Sequence, residues 1–220
     1  MTPDMPQNRS HTGYRRKWLL AAGLVLLVAG SIWGWTSVIR DRVIPKRFGV
    51  VEQGRIYRSG QLSAALIKKV LAEHNIRVIV DLTTNEANNP DQQVEEKAAA
   101  GLNIKILRFP LRGNGTGDVN CYVGAVTAIA NAEKENLPVL VHCAAGTQRT
   151  GGVIAVYRLL VQKKDPAFVI SEMKRYDWSP KGNPDLPLYL NSNMAHLAEM
   201  LKQAGVIEEI PAVIPQIPHD

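Results

Sequence analysis

Residues 137–151 read Leu137-Pro138-Val139-Leu140-Val141-His142-Cys143-Ala144-Ala145-Gly146-Thr147-Gln148-Arg149-Thr150-Gly151. The run up to Val141 is short and apolar, the pattern of a buried strand. Val153-Ile154-Ala155-Val156-Tyr157-Arg158-Leu159-Leu160 reads as a helix. A strand, a tight glycine-containing loop and a helix N-terminus, in that order, predict an anion site, because loop N–H groups converge there and the helix dipole adds positive potential. A cysteine at the base of such a loop is driven toward thiolate from a free pKa of about 8.5. Arg149 carries a planar fork that can grip two oxygens of one phosphate. Together these residue types predict attack of sulfur on a phosphomonoester bound in the loop. The plainer alternative, a buried cysteine beside a surface arginine, leaves His142, Gly146, Thr150 and Gly151 without a reason.

With those four residues in place the segment resembles the signature loop of the protein tyrosine phosphatase superfamily, which runs His-Cys, five residues, Arg, then Ser or Thr. The Arg-Thr-Gly ending and the short chain resemble the compact dual-specificity-like phosphatases, bacterial ones included. The resemblance implies a cysteine phosphatase fold: α/β, with a central mixed or parallel sheet flanked by helices. It implies Cys143 as nucleophile with His142 in support, and Arg149 as the phosphate clamp. Thr150 would offer its hydroxyl to sulfur as a phosphocysteine breaks down. Ala144, Ala145, Gly146, Thr147 and Gln148 would bind phosphate mainly through backbone N–H groups.

In this family the general acid is usually an aspartate on a mobile loop before the cysteine. Asp118 is the one aspartate between Asp91 and Cys143, at the end of the loop that starts at Pro110. Gly113, Gly115 and Gly117 predict a loop free enough to act as a lid. The Trp-Pro-Asp form of larger members is absent, and Asp118 could instead simply cap the helix that begins at Val119. The three glycines lack the strand-to-helix setting of a dinucleotide loop.

Composition agrees with an enzyme of this class. Over 220 residues, 45% hydrophobic and 21% charged content is that of a globular protein, and a net charge of +6 suits an anionic substrate or an anionic membrane surface. No nucleic-acid module is visible. Two cysteines, Cys121 and Cys143, make no disulfide framework. Cys121 reads as a small buried residue or a redox partner for Cys143. His11, His74, His142, His196 and His219 are scattered without metal-ligand spacing, so neither a metal nor a cofactor is expected.

Trp18 to Ile39 is 22 residues without a charge. As a helix it would be about 33 Å long, enough to cross a bilayer core. Trp18, Trp33 and Trp35 suit the interfaces. A cleaved signal peptide ending near Ala29-Gly30-Ser31 is the rival reading, but the apolar run continues past that point. Arg9, Arg15, Arg16 and Lys17 precede the segment, and Arg40, Arg42, Lys46 and Arg47 follow it. The short tail and the tight Arg15-Arg16-Lys17 cluster favour an inside N-terminus and an extracytoplasmic, periplasmic domain.

The expected organisation is therefore a basic tail (1–17), a transmembrane anchor (18–39), a phosphatase domain (40–205) and a proline-containing, irregular tail (206–220). Within the domain, two small strands flank Gly54. Ser63 is expected to cap a helix reaching His74, and Ile76 to Leu82 is expected to form a strand. A helix follows Asn89, a strand covers 104–109, and helices lie near 151–162, 166–176 and 185–203. Alternating helix and strand patterns predict a parallel or mixed sheet. The phrase Ile56-Tyr57-Arg58-Ser59-Gly60-Gln61 resembles the start of the compact phosphatase domain in the same superfamily. Arg58, Arg108 and Arg112 are expected to be solvated charges with some capacity to attract substrate.

No lysine or further arginine stands at Ala144, Ala145, Thr147 or Gln148, which favours a singly phosphorylated protein side chain as substrate. The apolar segment keeps a phospholipid headgroup phosphate open as an alternative. A phosphate-binding module without turnover and a rhodanese-type sulfur transferase also place groups in an anion loop, and both fit the motif less well.

Overall fold

The computed structural model describes residues 11–35 and 40–218, and the chain divides into two units, Met1–Asp41 and Arg42–Asp220. In the first unit α1 runs His11–Gly34. Its Lys17–Gly34 window has a mean hydropathy of 1.6 and none of it is buried, so the helix is long and apolar enough to cross a membrane, a test a signal sequence also passes. Arg9 and positions 36–39 of the apolar segment lie outside the described residues. A single turn, α2 (Arg40–Val43), leads into the second unit.

The second unit is built on five strands: β1 (Gly49–Glu52), β2 (Ile56–Gly60), β3 (Val78–Asp81), β4 (Lys105–Arg108) and β5 (Val139–Cys143). Their order is β1-β2-β5-β3-β4, with only the β1–β2 pair antiparallel. Gly54, at φ +75°, turns β1 into β2. Parallel neighbours need crossovers, supplied by α3 (Ile67–Glu73), α4 (Pro90–Gly101) and α5 (Val119–Lys134). α6 (Gln148–Val156), α7 (Pro166–Arg175) and α8 (Asp185–Gln203) complete the unit.

Strand alternation divides the core. Val78, Val80, Val139 and Val141 face a cluster with residues of α5 to α8, while Ile79 and Leu140 face a smaller one with Leu66, Ile67, Val70, Leu71, Ala98 and Ala99. With both faces covered, β3 and β5 are apolar up to their last residues, where Asp81 and His142 stand. Residues 206–218 are irregular but packed: Ile207 and Ile217 join the larger cluster, and Asn191 holds both the N–H (2.8 Å) and the carbonyl (2.9 Å) of Ile217.

The elements follow the expected alternation, with local departures. Ser63 does not cap a helix; its carbonyl closes a turn by accepting from Leu66 and Ile67, and α3 starts at Ile67. Asn89 does cap α4, taking Asp91 N–H at 3.0 Å and Gln92 N–H at 3.3 Å ahead of a proline at the first turn. α6 begins at Gln148, inside the signature segment, and passes into π-helix over Tyr157–Val161.

Register decides which residues meet at the strand ends. Gly60 lies beside Cys143, and Asp81 beside both His142 and Arg108. All four parallel strands thus end at one edge of the sheet, where open α/β folds place their ligands.

Candidate active site

Cys143 is the last residue of β5 and is 1% exposed. The chain then turns through Gly146, at φ +78°, and enters α6. The Gly146 N–H points to the Cys143 sulfur at 3.2 Å. Burial by itself would raise the thiol. The Thr150 hydroxyl, the Arg149 charge and the N–H groups of Thr150 and Gly146 outweigh burial and hold its pKa below the ordinary value. Thr150, in the first turn of α6, is fully buried; its hydroxyl is near enough to lower the thiol pKa but makes no aligned hydrogen bond among the described residues, to the sulfur or to the helix. Arg149 is half-buried, with one Nη1 contact to the Leu82 carbonyl at 3.4 Å. Its Nε has no partner among the described residues.

His142 lies behind the loop, 1% exposed, with Nε2 3.1 Å from Glu95 Oε1 and 4.0 Å from Asp81 Oδ1. The Glu95 contact is an ion pair rather than an aligned hydrogen bond, since the ring N–H does not point squarely at the oxygen. Burial alone would push the imidazole down, but Glu95, then Asp81 and Cys143, raise its pKa to about 9. His142 is therefore imidazolium at neutral pH, one residue from the thiol. Asp81, Glu95 and His142 bring three ligand-type atoms within 4.8 Å of one another, a grouping with no signal in their spacing along the chain. Asp81 is already engaged: Oδ1 accepts from Thr83 N–H (2.8 Å) and its hydroxyl (2.7 Å), and Oδ2 from Arg108 (2.8 Å). The oxygen nearest His142, Oδ1, is the one that Thr83 already occupies with two donors, so the trio reads as a buried charge network.

One measurement checks this network. In wild type the His142 ring is expected to titrate by NMR near the pKa of about 9, and in Glu95→Gln much lower. Because the folded pKa is raised above the ordinary 6.5, the pair's contribution to stability is whole below about 6.5 and lost as pH rises through about 9. The stability gap between wild type and variant should close over that window. A wild-type midpoint near 6.5 would rule out the ion pair.

Asp118 is exposed and sits at the N-cap of α5, where Oδ1 accepts from the Asn120 N–H (2.8 Å) and side-chain amide (2.9 Å). With Thr84, Pro110, Leu111, Arg112 and Gly117 it lines a cavity of about 480 Å³ between the loop after β3 and the loop before α5. The loop from Pro110 is pinned where a free lid was expected. Tyr122 donates to the Gly115 carbonyl, Tyr189 to that of Gly117 (2.9 Å) and Asn183 to that of Asn114 (2.6 Å). Asn183 also holds the Gln148 side-chain oxygen at 3.0 Å, tying this loop to the signature segment.

The remaining arginines and the second cysteine depart from expectation in different ways. Arg58 is a buried cation, 1% exposed, and Arg108 pairs with Asp81 and Glu96, so neither is the solvated charge expected. Arg112 is exposed on the cavity rim. Cys121 is only half-buried, and burial followed by the nearby Asp118 charge raises its thiol pKa. Glu95, Asp81, Asn183 and Arg47, all part of this neighbourhood, had no local sequence signal.

Sheet order and the 143–150 segment together define a compact phosphatase of the protein tyrosine/dual-specificity class. Residues 31–182 match the model of the family described as DSP-PTPase phosphatase fused to NAD+ kinase, and the chain belongs to that family. Dual specificity protein phosphatase H1 of Variola virus is 29% identical over 117 residues, covering 48% of this chain and 68% of the relative. Dual specificity protein phosphatase TpbA of Pseudomonas aeruginosa is 32% identical over 72 residues, covering 33% of this chain and 32% of the relative. Among solved structures, P. aeruginosa TpbA superposes with a TM-score of 0.58 at 21% identity, over 73% of this chain and 91% of that one. The Siw14 catalytic core does so with 0.61 at 20% identity, over 74% and 94%. At such identities the superpositions speak for the fold.

Proposed function

We propose that the chain hydrolyses phosphorylated protein side chains through a phosphocysteine intermediate, without a metal. The observation that carries this is the Cys143 sulfur at the end of β5, which receives the Gly146 N–H at 3.2 Å and is held toward thiolate. The thiolate attacks phosphorus, forming the S–P bond as the ester P–O bond breaks, and Asp118 gives its proton to the leaving oxygen. A water then attacks phosphorus and yields its proton to Asp118. The S–P bond breaks with the Thr150 hydroxyl supporting the departing sulfur, and inorganic phosphate leaves. Arg149 and the N–H groups of Ala144 to Gln148 bind the equatorial oxygens as their charge grows. The uncharged side chains at Ala144, Ala145, Thr147 and Gln148 favour a singly phosphorylated group, and the relatives' names as dual specificity protein phosphatases support a protein substrate.

The test is phosphate release by the full chain in detergent, with EDTA present, from aryl phosphates and phosphopeptides. Activity should survive EDTA and be blocked by vanadate. Asp118→Asn should slow esters with poor leaving groups by ~10² or more and spare those whose leaving group needs no proton. An unchanged rate on phenyl phosphate would retire Asp118 as the acid, and activity lost to EDTA would retire the metal-free mechanism.

In this reading residues 18–39 are a single-pass anchor with the phosphatase domain on the extracytoplasmic side, supported by the Arg15-Arg16-Lys17 cluster before the helix. Protease added to intact spheroplasts should then degrade the domain; protection until lysis would reverse the orientation. The same apolar helix favours a second substrate, a phospholipid headgroup phosphate. Faster phosphate release from lipid vesicles than from phosphopeptides would put that substrate first.

A further inference from the structure

The segment Ile56 to Gln61 takes no part in the catalytic steps, yet it lies directly against the signature loop. A Cβ on Gly60 would come within 2.9 Å of the Ala145 carbonyl oxygen, and one on Gly146 within 2.5 Å of the Gly60 nitrogen. The three consecutive carbonyls of the loop are all held from this side. Ala144 O accepts from the Gln61 N–H at 3.2 Å, Ala145 O from Arg47 Nη1 at 2.8 Å, and Gly146 O from Arg58 Nη2 at 2.9 Å. Arg47 sits in the turn before β1 in a left-handed conformation, φ +46°, with Nε on Asp177 at 2.7 Å. Arg58 projects from β2, with its guanidinium over the Tyr176 ring, 3.8 Å from the centroid. Its Nε and Nη1 are buried with no partner among the described residues.

In a planar trans peptide the carbonyl of one residue and the N–H of the next point in opposite directions. Holding Ala145 O outward therefore turns the Gly146 N–H inward, and that N–H does meet the Cys143 sulfur. Holding Gly146 O outward turns the Thr147 N–H inward, and holding Ala144 O does the same for Ala145. We propose that Arg58 and Arg47 are positioning residues of the phosphate cradle, fixing the Gly146 and Ala145 carbonyls outward so that loop N–H groups face the phosphate before it arrives. The inference rests on the reading of residues 143–149 as that cradle. Donors fixed in advance need no reorganisation as charge develops, which is where such sites gain most of their rate. Arg58 suits the task because a flat guanidinium can stack on Tyr176 while it donates, which an ammonium cannot do. Burial lowers its pKa to about 10, with Tyr176, Glu172 and Cys143 opposing the fall, so it stays charged at neutral pH.

The test uses the full chain in detergent, vanadate affinity by calorimetry, aryl phosphate kinetics and the thermal unfolding midpoint. Arg58→Met should lower kcat/KM by ~10²-fold, in line with loss of one preorganised donor, and weaken vanadate by about tenfold or more on the same basis. Arg47→Met, at a half-exposed position, should show the same pattern at ~10-fold with its unfolding midpoint kept. Asp177→Asn removes the ion pair but leaves the Ala145 contact, and should stay within about threefold on the same scale. Folded Arg47→Met that binds vanadate and turns over like wild type would overturn the proposal. So would Asp177→Asn losing as much as Arg47→Met, since the ion pair would then be the cause. Wild type that binds neither vanadate nor inorganic phosphate would instead overturn the cradle itself.

Discussion

Replacing Cys143 with serine is expected to abolish turnover, with a loss on the order of 10⁶ in kcat, the scale seen when a hydrolase loses its nucleophile. The loop lowers the pKa of a group that begins as a thiol, and the same contacts are too weak to ionise an alcohol at neutral pH. Binding should survive. The side chain is 1% exposed and the swap removes little volume, while Arg149, the loop N–H groups and the start of α6 are untouched. Cys143→Ser should therefore hold a phosphopeptide without cleaving it, with an affinity at least that of wild type for inorganic phosphate. Calorimetry beside a phosphate-release assay reads both quantities. Residual activity within a hundredfold of wild type would mean that sulfur is not the attacking atom.

Arg149→Lys should cost ~10³-fold in kcat with a smaller effect on KM, because an arginine aimed at a transferring phosphoryl group acts mostly on the transition state. Among the described residues Arg149 Nε has no partner and Nη1 has a long 3.4 Å contact to the Leu82 carbonyl, so few bonds stand against its fork meeting two oxygens together. Lysine keeps the charge and loses the paired geometry. Vanadate, which resembles the five-coordinate state, should lose more affinity than inorganic phosphate. A kcat within tenfold of wild type would leave Arg149 a general attractive charge and no more.

The fold was legible because short runs rich in apolar and β-branched residues, 76–82, 104–109 and 137–143, alternate with helical patterns, and the most buried of them, 78–80 and 139–141, are apolar without a break. α8 was placed at its observed bounds because its apolar periodicity is unbroken across 185–203. The segment 142–150 was legible because its residue types and spacing are local. Its surroundings were not. Glu95 and Gln92 make the buried face of α4 polar, and a search for apolar periodicity passes over such a face. Arg58 looks like a surface residue until Tyr176 and the Gly146 carbonyl, both remote in sequence, come against it. The glycines of 113–117 spoke for mobility, while the hydroxyls and amide that pin them come from α5, α8 and the loop between α7 and α8.

That pinned loop bears on how new preferences could arise in this scaffold. A mouth whose walls are already set sorts callers by whether they fit the opening, much as a keyhole does, and gains little selectivity from folding around them. Diversification would then run through the rim, at Thr84 and Arg112, where side chains can change without disturbing the anchors beneath. Altering Tyr122, Tyr189 or Asn183 would blur the shape of the keyhole instead of recutting it.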